Sequence, residues 1–313
     1  MDWQTAKADY IDRLLKNARL PRNQIASISG LTNTYIRDLE RGRIVNVPRK
    51  KLIAFAMALN LSLGECDQLL LVFDRASLSK NDISCFTSAF NRMKLTSAVY
   101  PIRDYFAYEL ACCSVEDHPG RQIIFNDKPT NSLKAPGHRA YSDSYLDGIH
   151  PIYTELVEAI GEKRRRTLER IVGDHKVEHI ICKACLEDYL KRCDDPTERR
   201  WRILHVQNML EMLKTFPQFH LYLVKACSNL LYTIKYVRTA GKTERMLCYC
   251  AVNTHDFSMK RTRRLSGFAT SSRVLIQNFE LEAEDVKMYA DEKYLHRPAL
   301  QHYLHGLIQS VES

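Results

Sequence analysis

The sequence predicts an all-α N-terminal domain followed by an α/β domain, on three observations. Residues 1–75 carry apolar side chains at helical spacing in five short runs. Beyond residue 146, β-rich runs alternate with helices of ten or more residues, and the stretch between is polar and broken by Pro and Gly. A length of 313 residues exceeds the usual single domain, and 45% apolar with 27% charged residues is the composition of a globular chain. The expected organisation is a domain over 1–75, a helical segment and polar linker over 76–145, and an α/β sensor or dimerisation domain over 146–313.

The five N-terminal runs are YIDRLL, NQIASI, TYIRDL, KLIAFAMAL and GECDQLLLVF, separated by Pro21, Gly30, Gly42 and Pro48. Ser62 and Glu65 have the spacing of a capping box before the fifth. DISCFTSAFNRMKL and YPIRDYFAYELACC read as helices. Residues 116–145, with Pro119, Gly120, Pro129, Pro136 and Gly137, read as a linker or long surface loop. Helical periodicity returns in IHPIYTELVEAIGEKRRRTLERIVG. Strands are expected in VEHIIC, FHLYLV, LYTIKYV and RMLCYCAV, and helices in CLEDYLKRC, RWRILHVQNMLEMLKTF, SRVLIQNFELEAEDVKMYA and PALQHYLHGLIQSV.

RNQIASISGLTNTYIRDLERG, residues 22–42, reads as two helices meeting at a tight turn. Ile25, Ala26, Ile28, Leu31, Ile36 and Leu39 supply the buried side. Gly30 can take the positive φ that ends a helix, and Thr32 can cap the next one. The outward face of that second helix is Asn33, Thr34, Arg37 and Arg41.

These residues, with QIA, LERG at 39–42, Pro48, Leu52 and ALNLS at 58–62, resemble the Cro/repressor-type (XRE) helix-turn-helix family over about residues 8–72. The resemblance implies a five-helix DNA-binding domain whose helix after the turn enters the major groove. It further implies base contacts from Asn33, Thr34, Arg37 and Asp38, and phosphate contacts from Arg22, Tyr35, Arg41, Arg43, Arg49 and Lys50. Three positions depart from the family: Arg22 stands for the usual Gln, Pro21 for a hydroxyl cap, and Arg19 for a frequent glycine. Leu15 stands where many members carry an arginine paired with the residue equivalent to Glu40, leaving Glu40 to pair with Arg43 or to face solvent. Such domains act as dimers on half-sites of double-stranded DNA, so a homodimer is implied.

A formal charge of +9 agrees with a polyanionic partner, although the basic loop after Gly42 reads equally as a solvated face. The opening MDWQTAKADYIDRL lacks a signal-peptide core, and no run reaches membrane-helix length, so the expectation is cytoplasmic with no membrane partner. Ten cysteines in that compartment read as thiols rather than a disulfide framework. Cys182 and Cys185 have a metal or redox spacing without a second pair, and structural thiols are the commoner reading; His175 and His179 are the histidines nearest in sequence. His296, His302 and His305 read as surface or packed histidines, Tyr222, Tyr232, Tyr236 and Tyr249 as sheet residues, and KRTRR at 260–264 as an exposed loop or a phosphate contact.

No glycine-rich phosphate loop, Gly-x-Ser-x-Gly, His-Glu-x-x-His or His-x-Lys pairing occurs after residue 146, so neither catalysis nor a cofactor is expected. The order LEDYL, FHLYLV and GFATSSRVLIQNFE is similar to α/β effector regions behind XRE domains, some of which resemble phospholipase-D-like folds without catalysis. Together these features predict a DNA-binding transcriptional regulator that responds to a small-molecule or peptide effector. The alternative is an enzyme of unknown chemistry, or a defence or toxin-antitoxin component, carrying a DNA-binding domain.

Overall fold

A computed structural model of the chain describes residues 3–18, 20–96, 99–102, 105–138, 150–226, 231–239, 242–251 and 266–312. They divide into two compact units, Met1–Ala98 with Gly148–Leu156, and Val99–Asp147 with Val157–Ser313. Among the described residues no helix is long and apolar enough to cross a membrane.

The first unit contains α1 (Trp3–Asn17), α2 (Arg22–Ser29), α3 (Asn33–Glu40), α4 (Arg49–Ala58), α5 (Leu63–Val72) and α6 (Ile83–Thr96). KLIAFAMAL is apolar on every side, and α4 accordingly lies at the centre: Leu52, Ile53, Ala54, Phe55, Ala56 and Ala58 are buried against α2, α5 and α6. The Ser62–Glu65 capping box forms, with Ser62 Oγ accepting from the Glu65 amide at 3.3 Å and Glu65 Oε2 accepting from the Ser62 amide at 2.8 Å. Phe86, Ala89 and Phe90 bury α6 in this unit, where sequence alone set that helix apart from the N-terminal domain. The chain returns at His150, whose Nε2 lies 3.1 Å from Asp67 Oδ2, while Asp67 Oδ1 accepts from the Leu78 amide at 2.6 Å.

The second unit contains β1 (Val99–Ile102), α7 (Tyr105–Glu116), β2 (Gln122–Asn126), most of α8 (Tyr153–Asp174), β3 (Val177–Cys182), α9 (Lys183–Lys191), α10 (Pro196–Thr215) and β4 (Phe219–Val224). It continues with β5 (Leu231–Thr239), β6 (Lys242–Ala251), β7 (Ser266–Thr270), α11 (Arg273–Met288) and α12 (Arg297–Glu312). Up to Leu156, α8 is counted with the first unit, and from Val157 with the second. The strands make one mixed sheet in the order β1-β7-β6-β5-β2-β3-β4. β2, β3 and β4 are parallel, and the remaining neighbours are antiparallel. Alternation sends Ile124, Val177, Ile181, Phe219, Leu221 and Leu223 to one core with α9, α10 and α12. It sends Ile123, Phe125, Ile180, Val224 and Ile234 to the other, under Ile276 and Ala283 of α11. Both faces of the parallel strands are therefore covered, which is why VEHIIC is buried along its length.

The segment 116–138, expected as linker, carries β2, and YPI, expected in a helix, is part of strand β1 ahead of α7. Prolines and glycines around QIIFN give that segment the composition of a loop, yet Gly120 serves a tight packing. At Gly120, φ is +135°, and a Cβ would lie 1.8 Å from the Tyr236 carbonyl oxygen, so only glycine lets the chain pass β5. Pro101 sits in β1, at the sheet edge, where a missing donor is tolerated. Residues 139–145 of the expected linker and 146–149 of the expected α/β domain lie outside the described residues, as do Arg19 and the 260–264 cluster.

Ionisable groups tie the second unit together. Arg164 of α8, 2% exposed, donates from Nε and Nη2 to Glu116 and from Nη1 to Glu109, all at 2.7 Å, joining α8 to α7. Glu109 also accepts from Asn131 Nδ2 at 2.8 Å. On the α11 side, Glu178 meets Arg121, Lys176 and Lys287; burial opposes its ionisation, but those donors outweigh it and pull the carboxyl down to about 2. Removing Arg164 leaves two carboxylates buried together. Arg164→Met is therefore expected to destabilise the second unit by about 3–5 kcal/mol, seen as a lowered denaturant midpoint.

Three histidines are held neutral. Burial pulls His179 down to about 3 and His138 to about 4, and holds His205 well below the ordinary histidine value. His179 Nε2 accepts from the Thr130 amide at 2.9 Å. His205 Nε2 is 2.9 Å from the Thr130 carbonyl and so must donate, leaving Nδ1 to accept from the Tyr189 hydroxyl at 3.0 Å. Because the unfolded chain protonates His179 and His138 near pH 6.5 and the folded chain only near pH 3–4, stability falls as pH drops through that window. Urea midpoints followed by tryptophan fluorescence are expected to decline from pH 6.5 to pH 4, and His179→Gln to flatten the decline.

Candidate nucleic-acid interface

The junction of α2 and α3 is built locally. Gly30 takes φ +70° and its amide donates to the Ala26 carbonyl, closing α2 in a left-handed cap. Ser29 Oγ donates back to the Ile25 carbonyl at 2.7 Å, and Leu31 N donates to the Ala26 carbonyl at 3.1 Å. Thr32 Oγ1 then accepts from the Tyr35 amide at 3.0 Å, starting α3. Ile36 and Leu39 are fully buried and fix the rotation of α3, whereas Ile28 and Leu31 are only half-buried.

That rotation leaves Asn33, Thr34 and Arg37 exposed along α3, with Arg41 immediately after it. Asn33, Thr34, Arg37, Arg41 and Lys50 make no side-chain hydrogen bond or ion pair among the described residues. Tyr35 is half-buried, and burial raises its phenol above the ordinary value, keeping it a neutral donor. Lys51 Nζ stands 4.2 Å from its ring centroid. Lys51 was not singled out from the sequence; the RKK run contains it, but only the fold brings it beside the start of α3.

Four residues are engaged within the protein. Asp38 accepts Arg43 at 3.5 Å across the loop after α3, and its carbonyl accepts the Arg43 amide at 2.8 Å. Arg22 donates to both oxygens of Glu40, at 2.6 and 2.7 Å, so Glu40 pairs with neither Arg43 nor solvent. Arg49 turns inward to Asp82 and to the carbonyls of Ala76 (3.0 Å) and Ser77 (2.5 Å), fastening α4 to the chain after α5. The loop itself is held by Arg75, which donates to the Val47 carbonyl at 2.8 Å and to Asn46.

In the second unit, Cys182 is buried at the end of β3 and Cys185 half-buried in α9, while His179 points its Nε2 at Thr130. Among the described residues no group of three His, Cys, Asp or Glu side chains is arranged to hold a metal. His296, His302 and His305 are exposed, and His305 Nε2 lies 3.1 Å from Gln309. Tyr232 donates to the Phe279 carbonyl at 3.1 Å and Tyr236 to Glu280, joining β5 to α11.

No family model matches the chain, and no curated protein matches it. Among solved structures, TrmBL2, an archaeal chromatin protein described as showing a novel mode of DNA binding, gives a TM-score of 0.36 at 11% identity over 93% of this chain and 94% of that one. A likeness of that size carries no argument about function.

Because the cap is a single hydrogen bond on an exposed helix start, Thr32→Ala is expected to cost about 1 kcal/mol of stability in the first unit. Thr32→Ser, which keeps the acceptor, should restore it in the same chemical denaturation measurement.

Proposed function

We propose that this chain is a sequence-specific DNA-binding transcriptional regulator of XRE type, acting as a homodimer. The observation that carries the reading is the eight-residue α3: Ile36 and Leu39 anchor it, and Asn33, Thr34 and Arg37 are left exposed at and after its capped start. Those three types are suited to base edges: Asn to adenine, Arg to guanine, and Thr to a polar edge or a thymine methyl. Arg41, Arg43, Lys50 and Lys51 surround the helix with cations suited to phosphates, which set register and affinity rather than sequence. Arg22 joins them by exchanging Glu40 for a phosphate, whereas Arg49 and Asp38 serve the fold.

The second unit is proposed as an effector domain, of phospholipase-D-like lineage without catalysis. Ligands of open α/β sheets sit at the carboxyl ends of parallel strands. There, just after β2, Asp127 Oδ1 is buried without a hydrogen-bond partner among the described residues. An effector can shift DNA affinity only by binding two states of the protein unequally.

The test is selection of genomic DNA fragments by the full chain, followed by titration of the selected site at several salt concentrations. Asn33→Ala and Arg37→Ala are each expected to lose about 1–3 kcal/mol and to relax the preference at one base pair. Lys50→Ala should weaken all sequences alike and reduce the salt slope by about 1. A wild-type chain with no salt-dependent, sequence-selective binding overturns the proposal.

A further inference from the structure

Helix α11 carries two apolar stripes where a surface helix needs one. Ile276 and Ala283 are fully buried on the sheet, with Phe279 and Val286 packed beside them. The opposite stripe is Val274, Leu281 and Met288, spaced by seven residues and exposed by 68%, 63% and 76%. Tyr289 and Leu295 extend the apolar surface at 64% and 57% exposure. Residues spaced by seven lie one above another on a helix and supply one of the two rows of side chains through which paired helices pack, the other row here being the polar flanks.

The groups flanking that seam identify its occupant. Gln277 and Asn278 lie on the N-terminal half, Glu284 and Asp285 on the C-terminal half, and all four are exposed. Glu284 is partly neutralised by Lys287 at 2.7 Å and Arg121 at 3.0 Å, but Asp285 has no side-chain partner among the described residues. Leu281 lies at the middle of the helix. Pairing α11 antiparallel with a second α11 about a two-fold axis at Leu281 sets Val274 against Met288 of the second copy. Gln277 and Glu284 lie on one flank of the stripe and Asn278 and Asp285 on the other. An antiparallel two-fold brings like flanks together, so Gln277 meets Glu284 and Asn278 meets Asp285 of the second copy, amide donor against carboxylate acceptor on both flanks. A parallel pairing instead brings unlike flanks together and sets Asp285 against Glu284 of the second copy, with like charges opposed.

We infer that α11 is a self-association surface, and that a second copy of this chain docks on it antiparallel through Val274, Leu281 and Met288. A two-fold contact of this kind is closed, as expected of a homodimer. The inference rests on the homodimer put forward above and gives it a location.

Sedimentation of the full chain without DNA tests it. The wild type is expected at twice the chain mass. Leu281→Ala should raise the dimer Kd about tenfold, and Leu281→Glu should give monomer with an unchanged far-ultraviolet circular dichroism spectrum. The antiparallel register makes a signed forecast: Gln277→Lys, facing Glu284 of the second copy, tightens the dimer at low salt, and Gln277→Glu weakens it. In a parallel pair Gln277 faces the neutral Asn278 of the second copy, and neither substitution shifts the dimer, an outcome that overturns the antiparallel register. A wild-type monomer at the highest soluble concentration, a dimer indifferent to Leu281→Glu, or weakening by Gln277→Lys overturns the inference. An intact, Leu281-dependent dimer that fails to select DNA overturns the DNA-binding proposal alone.

Discussion

The burial of Ile36 and Leu39 is the constraint on which the candidate interface depends. An eight-residue helix is too short to persist in water on its own propensity, so α3 exists because two side chains are driven into the first unit's core. Once they are in, the rotation of the helix is fixed, and every other residue of α3 follows by its position. Gly30 and Thr32 determine where the helix begins, and the beginning determines which side chains lie at its N-terminal end. Binding chemistry therefore follows from packing. Any change that lets Ile36 or Leu39 slip would redirect Asn33, Thr34 and Arg37 together.

The electrostatics sort the cations by cost of release. Arg49 is held by Asp82, whose side chain is 6% exposed, and by two carbonyls; withdrawing it would leave a buried carboxylate unpaired, which is strongly unfavourable. Arg22 is held by Glu40 at the surface, where an ion pair is worth little net free energy and is screened by salt. A phosphate can compete for Arg22 but not for Arg49. The same reasoning separates Arg43, loosely paired with Asp38 at 3.5 Å, from Arg41 and Lys50, which have nothing to give up.

What was legible in the sequence was whatever is encoded locally. The turn at Gly30, the cap at Thr32, the Ser62–Glu65 box and the run VEHIIC each declare themselves within a few residues. QIIFN did not, because three apolar residues among prolines and glycines read as loop until the sheet gives Gly120 a reason. The partners of Glu40 and Arg49 are 18 and 33 residues away, and no spacing rule reaches that far. The seam on α11 was hidden differently. Apolar residues on several sides of SRVLIQNFELEAEDVKMYA announce a helix, but only the sheet shows which stripe is already covered.

The arithmetic of recognition connects the two units. Under the proposed function, three base-facing side chains at roughly 1–3 kcal/mol each give one α3 roughly 3–9 kcal/mol of discrimination. Against about 10⁶ competing genomic sites, a regulator needs about 8 kcal/mol merely to break even, since each tenfold is about 1.4 kcal/mol. One copy therefore sits at or below the threshold under most of that range. Two copies on one site double the discrimination to roughly 6–18 kcal/mol and clear the threshold over most of that range, provided that the second is already tethered rather than recruited from dilute solution. Selectivity in this reading is a property of the pair, and an effector that loosened the pair would release the DNA without touching α3.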